Sequence, residues 1–180
     1  MFHVEHEPAS AARIFGTGIE KARAYTAALV REGETLGLLG PREYPKIWTR
    51  HVLNSAVVAE LVPAGATVAD VGSGAGLPGI PMAIAQPEAQ FVLIEPMERR
   101  SDWLKQQVEE LGLENVRVLR NRAEEVGEVF DIVTARALKA MPQLHHNHYY
   151  FLIAQRLHQR RFATTIFHLS ILGARLKLKL

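Results

Sequence analysis

The most constraining feature of the chain is a glycine-rich stretch, VADVGSGAGLPGIP, at residues 68–81. The short apolar run at its start predicts a β-strand. Pro78 predicts the first turn of a helix, where the missing N–H of proline does no harm. Glycines between a strand and a helix permit a tight turn and let a ligand approach the backbone. The stretch therefore predicts an α/β fold with a ligand site directly after Val71, at the carboxyl end of a strand.

Strand-like and helix-like segments alternate from this point, which is typical of a doubly wound, Rossmann-like parallel sheet. The predicted strands cover residues 67–71, 91–95, 115–119 and 129–135, and the predicted helices cover residues 78–85 and 98–111.

Apolar residues at helical spacing predict two further helices before the sheet. The first covers residues 10–32, with Ser10 as a possible N-cap, and the second runs from Tyr44 or Lys46 to Leu61. We therefore expect three regions along the chain. They are an N-terminal helical cap (1–62), an α/β core (63–141) and a basic tail (142–180).

The glycines alone are compatible with two ligands. Residues 74–79 match G-x-G-x-x-G, and Glu95 follows at the distance expected in a dinucleotide-binding fold. However, Asp70 stands at the strand end, two residues before Gly72, where a dinucleotide site has an apolar strand. The pattern D-x-G-x-G-x-G is typical of S-adenosylmethionine (SAM) methyltransferases. There the first acid lies near the methionine end of SAM and the acid ending the next strand binds the ribose, so we predict these roles for Asp70 and Glu95.

Composition argues against several other kinds of site. The chain has no cysteine, so it has neither disulfides nor thiolate metal ligands. No apolar run approaches the roughly 18–20 residues of a membrane span, and the N-terminus lacks the apolar core of a secretory signal. We expect a cytoplasmic protein that binds no metal and no membrane, and we expect it to be monomeric.

Further motifs surround the glycine turn. They are RHVLNS (50–55), DVGSGAGLPGIP (70–81), LIEPMERRSDWL (93–104), NRAEEV (121–126) and FDIVTARAL (130–138). Together they resemble the RsmG (GidB) family of bacterial ribosomal RNA methyltransferases over roughly half of the chain. The most specific elements are GLPGIP after the glycine turn, the later RAEE and the TARA segment.

The resemblance implies a class I SAM-dependent methyltransferase that transfers a methyl group to N7 of a guanine, nucleotide 527, in 16S ribosomal RNA. It implies 16S rRNA or the small ribosomal subunit as the partner. It also points to His51, Asn54 and Ser55 as a motif facing the active site, although the family more often has an acid at position 54. We predict Arg136 and His51 as catalytic residues. The residues expected to contact SAM are Asp70, Gly72, Gly74, Gly76, Leu77, Glu95, Ala123, Glu124 and Arg136.

The chemistry implied by the resemblance needs no general base, because guanine N7 carries a lone pair and no proton. The enzyme must instead hold the reacting atoms in line, so the lack of an obvious catalytic dyad does not argue against an enzyme. Binding of RNA phosphates requires basic side chains near the site. The candidates are Arg50, Arg99, Arg100, Arg136 and Lys139.

The C-terminal part of the chain departs from the resemblance. Residues 132–180 contain eight Lys or Arg and no Asp or Glu, and residues 145–180 no longer resemble the family. We therefore expect the C-terminal part of the sheet to be atypical or incomplete. Only the alternation of leucine with basic residues at 175–180 is typical of a strand.

The tail contains His145, His146 and His148. They have no carboxylate or cysteine beside them, so we predict no metal site there.

The divergent tail also leaves an alternative to an active rRNA methyltransferase. In this alternative the chain is a catalytically impaired SAM- and RNA-binding homologue with a truncated or frameshifted C-terminus.

Overall fold

The computed structural model describes residues 3–136, 149–157 and 161–169 of the chain. Its strands are β1 (Thr67–Val71), β2 (Gln90–Ile94), β3 (Val116–Leu119), β4 (Ile132–Arg136), β5 (Tyr149–Leu157) and β6 (Arg161–Leu169). Within the described residues they form a six-stranded sheet in the order β3-β2-β1-β4-β5-β6. The pairs among β1 to β4 are parallel, whereas β5 is antiparallel to β4 and β6 is antiparallel to β5.

Residues 91–94 of β2 are apolar on both faces of the sheet, as strands of a parallel sheet are when both faces are covered. Successive side chains of β2 join different clusters. Phe91 and Leu93 pack into the large core formed with the helices, whereas Val92 and Ile94 pack around Phe130 on the opposite face. The predicted α/β class is therefore confirmed, with strand ends shifted by no more than a few residues.

The N-terminal region contains two α-helices, α1 (Ser10–Phe15) and α2 (Ile19–Glu32). A 3-10 turn, Gly16–Gly18, separates them, and Gly16 has φ of +52°. Because a right-handed helix cannot continue through that conformation, the prediction of a single helix over residues 10–32 was wrong.

The turn also allows a close approach. A Cβ at Gly18 would lie 2.7 Å from Ile84 Cγ2, so glycine lets this turn pack tightly against the core. The predicted N-cap is not observed either, because Ala9 occupies that position and makes no side-chain capping bond. Ser10 is instead the first residue of α1.

The second predicted helix is a segment of mixed helical geometry. It comprises a 3-10 turn (Pro41–Lys46), a π-helical stretch (Ile47–Leu53), α3 (Asn54–Ala56) and a second 3-10 turn (Val57–Leu61). Pro45 has no N–H to donate and so interrupts a regular helix. The carboxylate of Glu5 accepts the backbone N–H groups of Trp48 and Thr49 at 2.8 and 3.0 Å, which satisfies donors at the start of the π-helical stretch. The predicted helical segment ending at Leu61 is therefore present, but it is not one regular α-helix.

Two α-helices connect the parallel strands. They are α4 (Gly79–Ala85), which follows β1, and α5 (Glu98–Glu110), which follows β2. Pro78 is the N-cap of α4 rather than its first helical residue. A Cβ at Gly79 would lie only 2.2 Å from Leu93 Cδ2, so the absence of a side chain brings the start of α4 directly against β2.

The antiparallel pair β5–β6 extends the sheet beyond β4. Its register pairs Thr134 with Ile153 and Ile153 with Thr165, so β4 has a neighbour on both sides. The sequence had indicated no strand at residues 149–169. The leucine-rich alternation at 175–180 lies outside the described residues.

Tyr25 connects α2 to the glycine turn and provides a test of this packing. Its side chain is fully buried, and its hydroxyl donates to the backbone carbonyl of Ala75 at 2.6 Å. Tyr25→Phe removes this donor and leaves the carbonyl in a buried environment. We expect the free energy of unfolding to fall by about 1–3 kcal/mol, measured by urea denaturation. An unchanged denaturation midpoint would contradict this role.

Candidate active site

The loop after β1 is shaped by three glycines in the left-handed region. Gly72, Gly74 and Gly76 have φ of +70°, +57° and +79°. Their surroundings differ, because a Cβ at Gly76 would lie 2.5 Å from Ile80 Cδ1, whereas a Cβ at Gly72 would meet no atom within 4 Å. Gly76 therefore serves the packing of α4, and Gly72 leaves open space at the carboxyl end of β1.

This open space belongs to a cavity of about 570 Å³ at the carboxyl ends of β1, β2 and β3. The cavity brings together three of the predicted SAM-contacting residues, Gly72, Ala123 and Glu124. Its lining residues are Val71, Gly72, Ile94, Pro96, Met97, Asn121, Arg122, Ala123 and Glu124. The predicted site residues that do not line this cavity are His51, Asp70, Gly74, Gly76, Leu77, Glu95 and Arg136.

Glu95 does not line the cavity, but it holds in place two segments that border it. The residue is 3% exposed, and its two carboxylate oxygens accept different backbone N–H groups. Oε2 accepts from Gly74 at 2.9 Å, and Oε1 accepts from Met97 at 3.0 Å. Glu95 thereby ties the glycine turn to the segment after β2. The predicted hydrogen bonds to a ribose stay a prediction, since each oxygen can accept a further donor.

Asp70 lies near the end of β1, where it is buried against β4 and the start of α4. Its Oδ2 accepts the backbone N–H of Gly79 at 3.1 Å, and the Thr134 hydroxyl lies 3.4 Å from its Oδ1. Burial raises the pKa of Asp70 to about 6, and the N–H of Gly79 opposes this effect. The carboxyl group therefore joins the strand, the loop and the helix rather than facing the cavity.

A second group of polar residues lies at the carboxyl end of β4. Arg136 Nη2 lies 2.8 Å from His51 Nδ1, and Arg136 Nη1 lies 3.4 Å from Ser55 Oγ. The other ring nitrogen of His51, Nε2, lies 2.8 Å from Glu43 Oε2. His51 is 1% exposed, and Asn54 beside it in the chain is also buried. The structure thus brings the predicted catalytic residues His51 and Arg136 into direct contact.

The electrostatics of this group keep His51 neutral. Burial and the charge of Arg136 together lower the pKa of His51 to about 4, against the opposing effect of the Glu43 carboxylate. A neutral imidazole carries one N–H and one lone pair. At neutral pH His51 can therefore accept a hydrogen bond on one side and donate one on the other.

The basic residues predicted to contact RNA have different environments. Arg50 Nη1 lies 3.3 Å from Glu43 Oε2. Arg99 and Arg100 donate to the backbone carbonyls of Leu36 and Gly37, which fastens the loop after α2 onto α5. Two further predictions, the RNA contact by Lys139 and the absence of a metal site at the tail histidines, concern positions outside the described residues.

Sequence reasoning missed three residues that organise the site. Glu43 lies in a proline-interrupted segment, where no regular spacing relates it to His51. Met97 lies in the segment between β2 and α5 and lines the cavity. Thr134 could have been found, because it pairs in register with Asp70 on the neighbouring strand and their side chains share a face.

Two negative findings concern only the residues that the structure describes. None of the described helices is long and apolar enough to cross a membrane. In the same part of the chain, no three or more His, Asp or Glu side chains cluster in a way that could hold a metal ion.

Comparisons of the sequence with known proteins identify a family and relatives. A family model described as GidB, rRNA small subunit methyltransferase G, matches residues 18–155. The match extends past residue 144, where the resemblance was predicted to end. The ribosomal RNA small subunit methyltransferase G of Leifsonia xyli subsp. xyli is 55% identical over 143 residues, which cover 78% of this chain and 68% of that protein. The protein of the same description from Corynebacterium efficiens is 50% identical over 143 residues, which cover 76% of this chain and 61% of that protein. The chain thus spans about two thirds of the length of these relatives.

Solved structures were also found to be similar. A protein-L-isoaspartate O-methyltransferase of Plasmodium falciparum, in complex with S-adenosyl-L-homocysteine, is 12% identical with a TM-score of 0.44, covering 87% of this chain and 98% of that one. A SAM-dependent methyltransferase from Aquifex aeolicus is 25% identical with a TM-score of 0.40, covering 46% of each chain.

The burial of Asp70 predicts a specific pH dependence of stability. Because its folded-state pKa is raised from 3.8 to about 6, the folded protein holds this proton more tightly than the unfolded chain. Asp70 therefore costs stability as pH rises from about 4 to 6, and the cost is constant above that range. We expect the unfolding free energy of Asp70→Asn minus that of the wild type to increase by about 2–3 kcal/mol between pH 4 and pH 7.

Urea denaturation at several pH values checks this expectation. His51 titrates over a similar range but is present in both proteins, so its contribution largely cancels in the difference. A difference that stays constant with pH would show that the Asp70 carboxyl is not perturbed by burial.

Gly72 and Gly65 form a matched pair for testing the cavity. Both have positive φ, +70° and +77°, and at both a Cβ would meet no atom within 4 Å, but only Gly72 lines the cavity. Alanine at either position strains the backbone, so we expect each variant to lose about 1–2 kcal/mol of unfolding free energy. Only Gly72→Ala is expected to weaken SAM binding, by about 10-fold or more (~1.4 kcal/mol), measured by calorimetry. Equal affinities of the two variants for SAM would exclude Gly72 from the binding site.

Proposed function

Because the chain belongs to the GidB family, described as rRNA small subunit methyltransferase G, we propose that it methylates N7 of one guanine, nucleotide 527, in 16S rRNA. The methyl donor is SAM. The observation that carries the proposal is the cavity at the carboxyl ends of β1, β2 and β3, where Gly72, Ala123 and Glu124 meet. This is the edge of a parallel sheet at which nucleotide-like ligands bind.

The cavity fits SAM in size and in lining. Its volume of about 570 Å³ falls within the range of pockets that hold small ligands. Gly72 would let the ligand lie against the backbone, and Ala123 and Glu124 would flank the adenine. Glu95, held behind Gly74, would accept the ribose hydroxyls. When bound, SAM supplies a methyl group made electrophilic by its sulfonium.

The roles of the remaining residues follow from the chemistry of guanine N7. Its lone pair is free at neutral pH, so no side chain has to remove a proton. Both ring nitrogens of His51 are engaged, one with Arg136 and one with Glu43, which suits a support for Arg136 better than a proton carrier. We assign Arg136 to direct contact with the ligand or the RNA. Asp70 holds the loop between β1 and α4 in place.

The partner in this proposal is 16S rRNA, free or within the small ribosomal subunit. Two cationic groups lie at this site: Arg136, which contacts His51, and Arg50, which is partly exposed beside Glu43. Such groups can bind RNA phosphates, and their contribution weakens as salt rises. We also propose that the protein acts as a monomer in the cytoplasm, without a metal ion.

The decisive experiment is methyl transfer to small ribosomal subunits from cells that lack the native activity. We expect incorporation of label from methyl-labelled SAM into 16S rRNA, and strand cleavage at nucleotide 527 after borohydride and aniline treatment, which detects N7-methylguanine. Incorporation at another nucleotide would overturn the assignment of position. SAM binding without any incorporation would support the catalytically impaired homologue instead.

Substitution of Arg136 tests its role in the same assay. We expect Arg136→Ala to lower the rate by about 100-fold, as the loss of a group that aligns the reactants does. Arg117→Ala is the matched control, because Arg117 forms an exposed ion pair with Glu128 away from the cavity lining. A similar rate for both variants would remove Arg136 from the reaction.

A further inference from the structure

Three side chains from distant parts of the sequence form a continuous hydrogen-bonded series. Glu43 belongs to the 3-10 turn Pro41–Lys46, His51 to the π-helical stretch and Arg136 to the end of β4. Glu43 Oε2 lies 2.8 Å from His51 Nε2, and His51 Nδ1 lies 2.8 Å from Arg136 Nη2. The series therefore runs from the partly exposed carboxylate, through a buried imidazole, to the carboxyl end of the sheet.

Only one arrangement of protons satisfies both contacts at neutral pH. A guanidinium has donors and no acceptor, so the contact at Nδ1 requires a lone pair on that nitrogen. The single proton of the neutral ring then lies on Nε2, where it is donated to the carboxylate of Glu43. The carboxylate thus favours the tautomer whose other nitrogen can accept from Arg136.

Arg136 is oriented at both of its terminal nitrogens. Nη2 donates to His51, and Nη1 lies 3.4 Å from Ser55 Oγ, so two contacts from the helical segment define the plane of the guanidinium. The position of a planar guanidinium determines which ligand atoms it can reach. In reactions that depend on alignment, a displacement of about 1 Å can cost about 100-fold in rate.

We propose that Glu43 is a positioning residue, which holds the Nε2–H tautomer of His51 and thereby aims Arg136 at the site of methyl transfer. The inference rests on the proposed function, in which Arg136 contacts the ligand or the RNA. Glu43 itself touches neither ligand nor RNA in this proposal. Its side chain is 29% exposed, so its replacement leaves no large buried void.

The ion pair with Arg50 provides the competing explanation. Arg50 Nη1 lies 3.3 Å from the same Oε2 of Glu43, and such a partly exposed pair stabilises a fold only modestly. If Glu43 served this pair alone, its charge would matter and its hydrogen bond to His51 would not. Glutamine separates the two roles, because it keeps an oxygen that accepts the Nε2–H and loses the charge.

The test compares Glu43→Gln with Glu43→Ala in the full chain. We expect Glu43→Ala to lower kcat for rRNA methylation by about 10- to 100-fold, with the KM for SAM changed by less than about threefold (under 0.7 kcal/mol). Glu43→Gln is expected to keep kcat within about threefold of the wild type. Equal loss in both variants, or no loss in Glu43→Ala, would overturn the proposal.

Nuclear magnetic resonance spectroscopy tests the same hydrogen-bonded series without requiring methyl transfer. In protein labelled with ¹⁵N at histidine, we expect His51 to show a protonated Nε2 and an unprotonated Nδ1 in the wild type and in Glu43→Gln. In Glu43→Ala we expect the two tautomers to mix. An unchanged tautomer in Glu43→Ala would contradict the role given to the carboxylate.

Three controls show whether a negative result comes from misfolding, from a wrong proposed function or from a wrong role for Glu43. Glu20→Ala removes an exposed glutamate that is paired with Arg23, and we expect it to change neither kcat nor the His51 spectrum. If Glu43→Ala does not fold, Glu43→Asp, which draws the carboxylate back from Nε2, takes its place in both measurements with the same expected outcomes. If the wild type methylates no rRNA, the proposed function fails, while the ¹⁵N spectra still decide whether Glu43 sets the tautomer.

Discussion

The buried carboxylate of Asp70 joins the elements that surround the ligand cavity. It lies at the end of β1, accepts the backbone N–H of Gly79 at the start of α4 and meets the hydroxyl of Thr134 on β4. Burying this group without partners would be costly, and the N–H of Gly79 offsets part of that cost. Because Gly79 has no side chain, α4 can come close enough to provide that N–H. The path of the glycine turn between β1 and α4 depends on this contact.

Two further polar contacts bring other parts of the chain to the same turn. Tyr25 on α2 donates to the carbonyl of Ala75, and Glu95 after β2 accepts the N–H of Gly74. The glycine turn is therefore held by α2 on one side and by the segment after β2 on the other. Gly72 is held as well, since its N–H donates to the carbonyl of Ile94, but it has open space where a side chain would be. A loop constrained at its other positions can present one open position to a ligand with little ordering cost on binding.

Local patterns made much of this architecture predictable from sequence. The glycines after Asp70, the strand periodicity and the placement of Glu95 led to the correct sheet class and to the cavity at its carboxyl edge. The mixed helical geometry of residues 44–61 was not predicted, because Pro45 and a contact from the distant Glu5 shape it and neither produces a periodic signal. The strands at 149–169 were missed because a continuous apolar run such as YYFLIA (149–154) has no alternation that would distinguish a strand from a buried helix.

Sequence patterns could not predict the two contacts that join Glu43 to His51 and His51 to Arg136. His51 and Arg136 are 85 residues apart, and only the docking of the helical segment onto the end of β4 brings them together. Hydrogen-bond chemistry then restricts the cluster to one proton arrangement, since Arg136 can only donate and a carboxylate can only accept. The helical segment consequently does more than cover the sheet. It supplies the acceptors that orient Arg136, while the glycine turn, held by Asp70 and Glu95, shapes the neighbouring cavity.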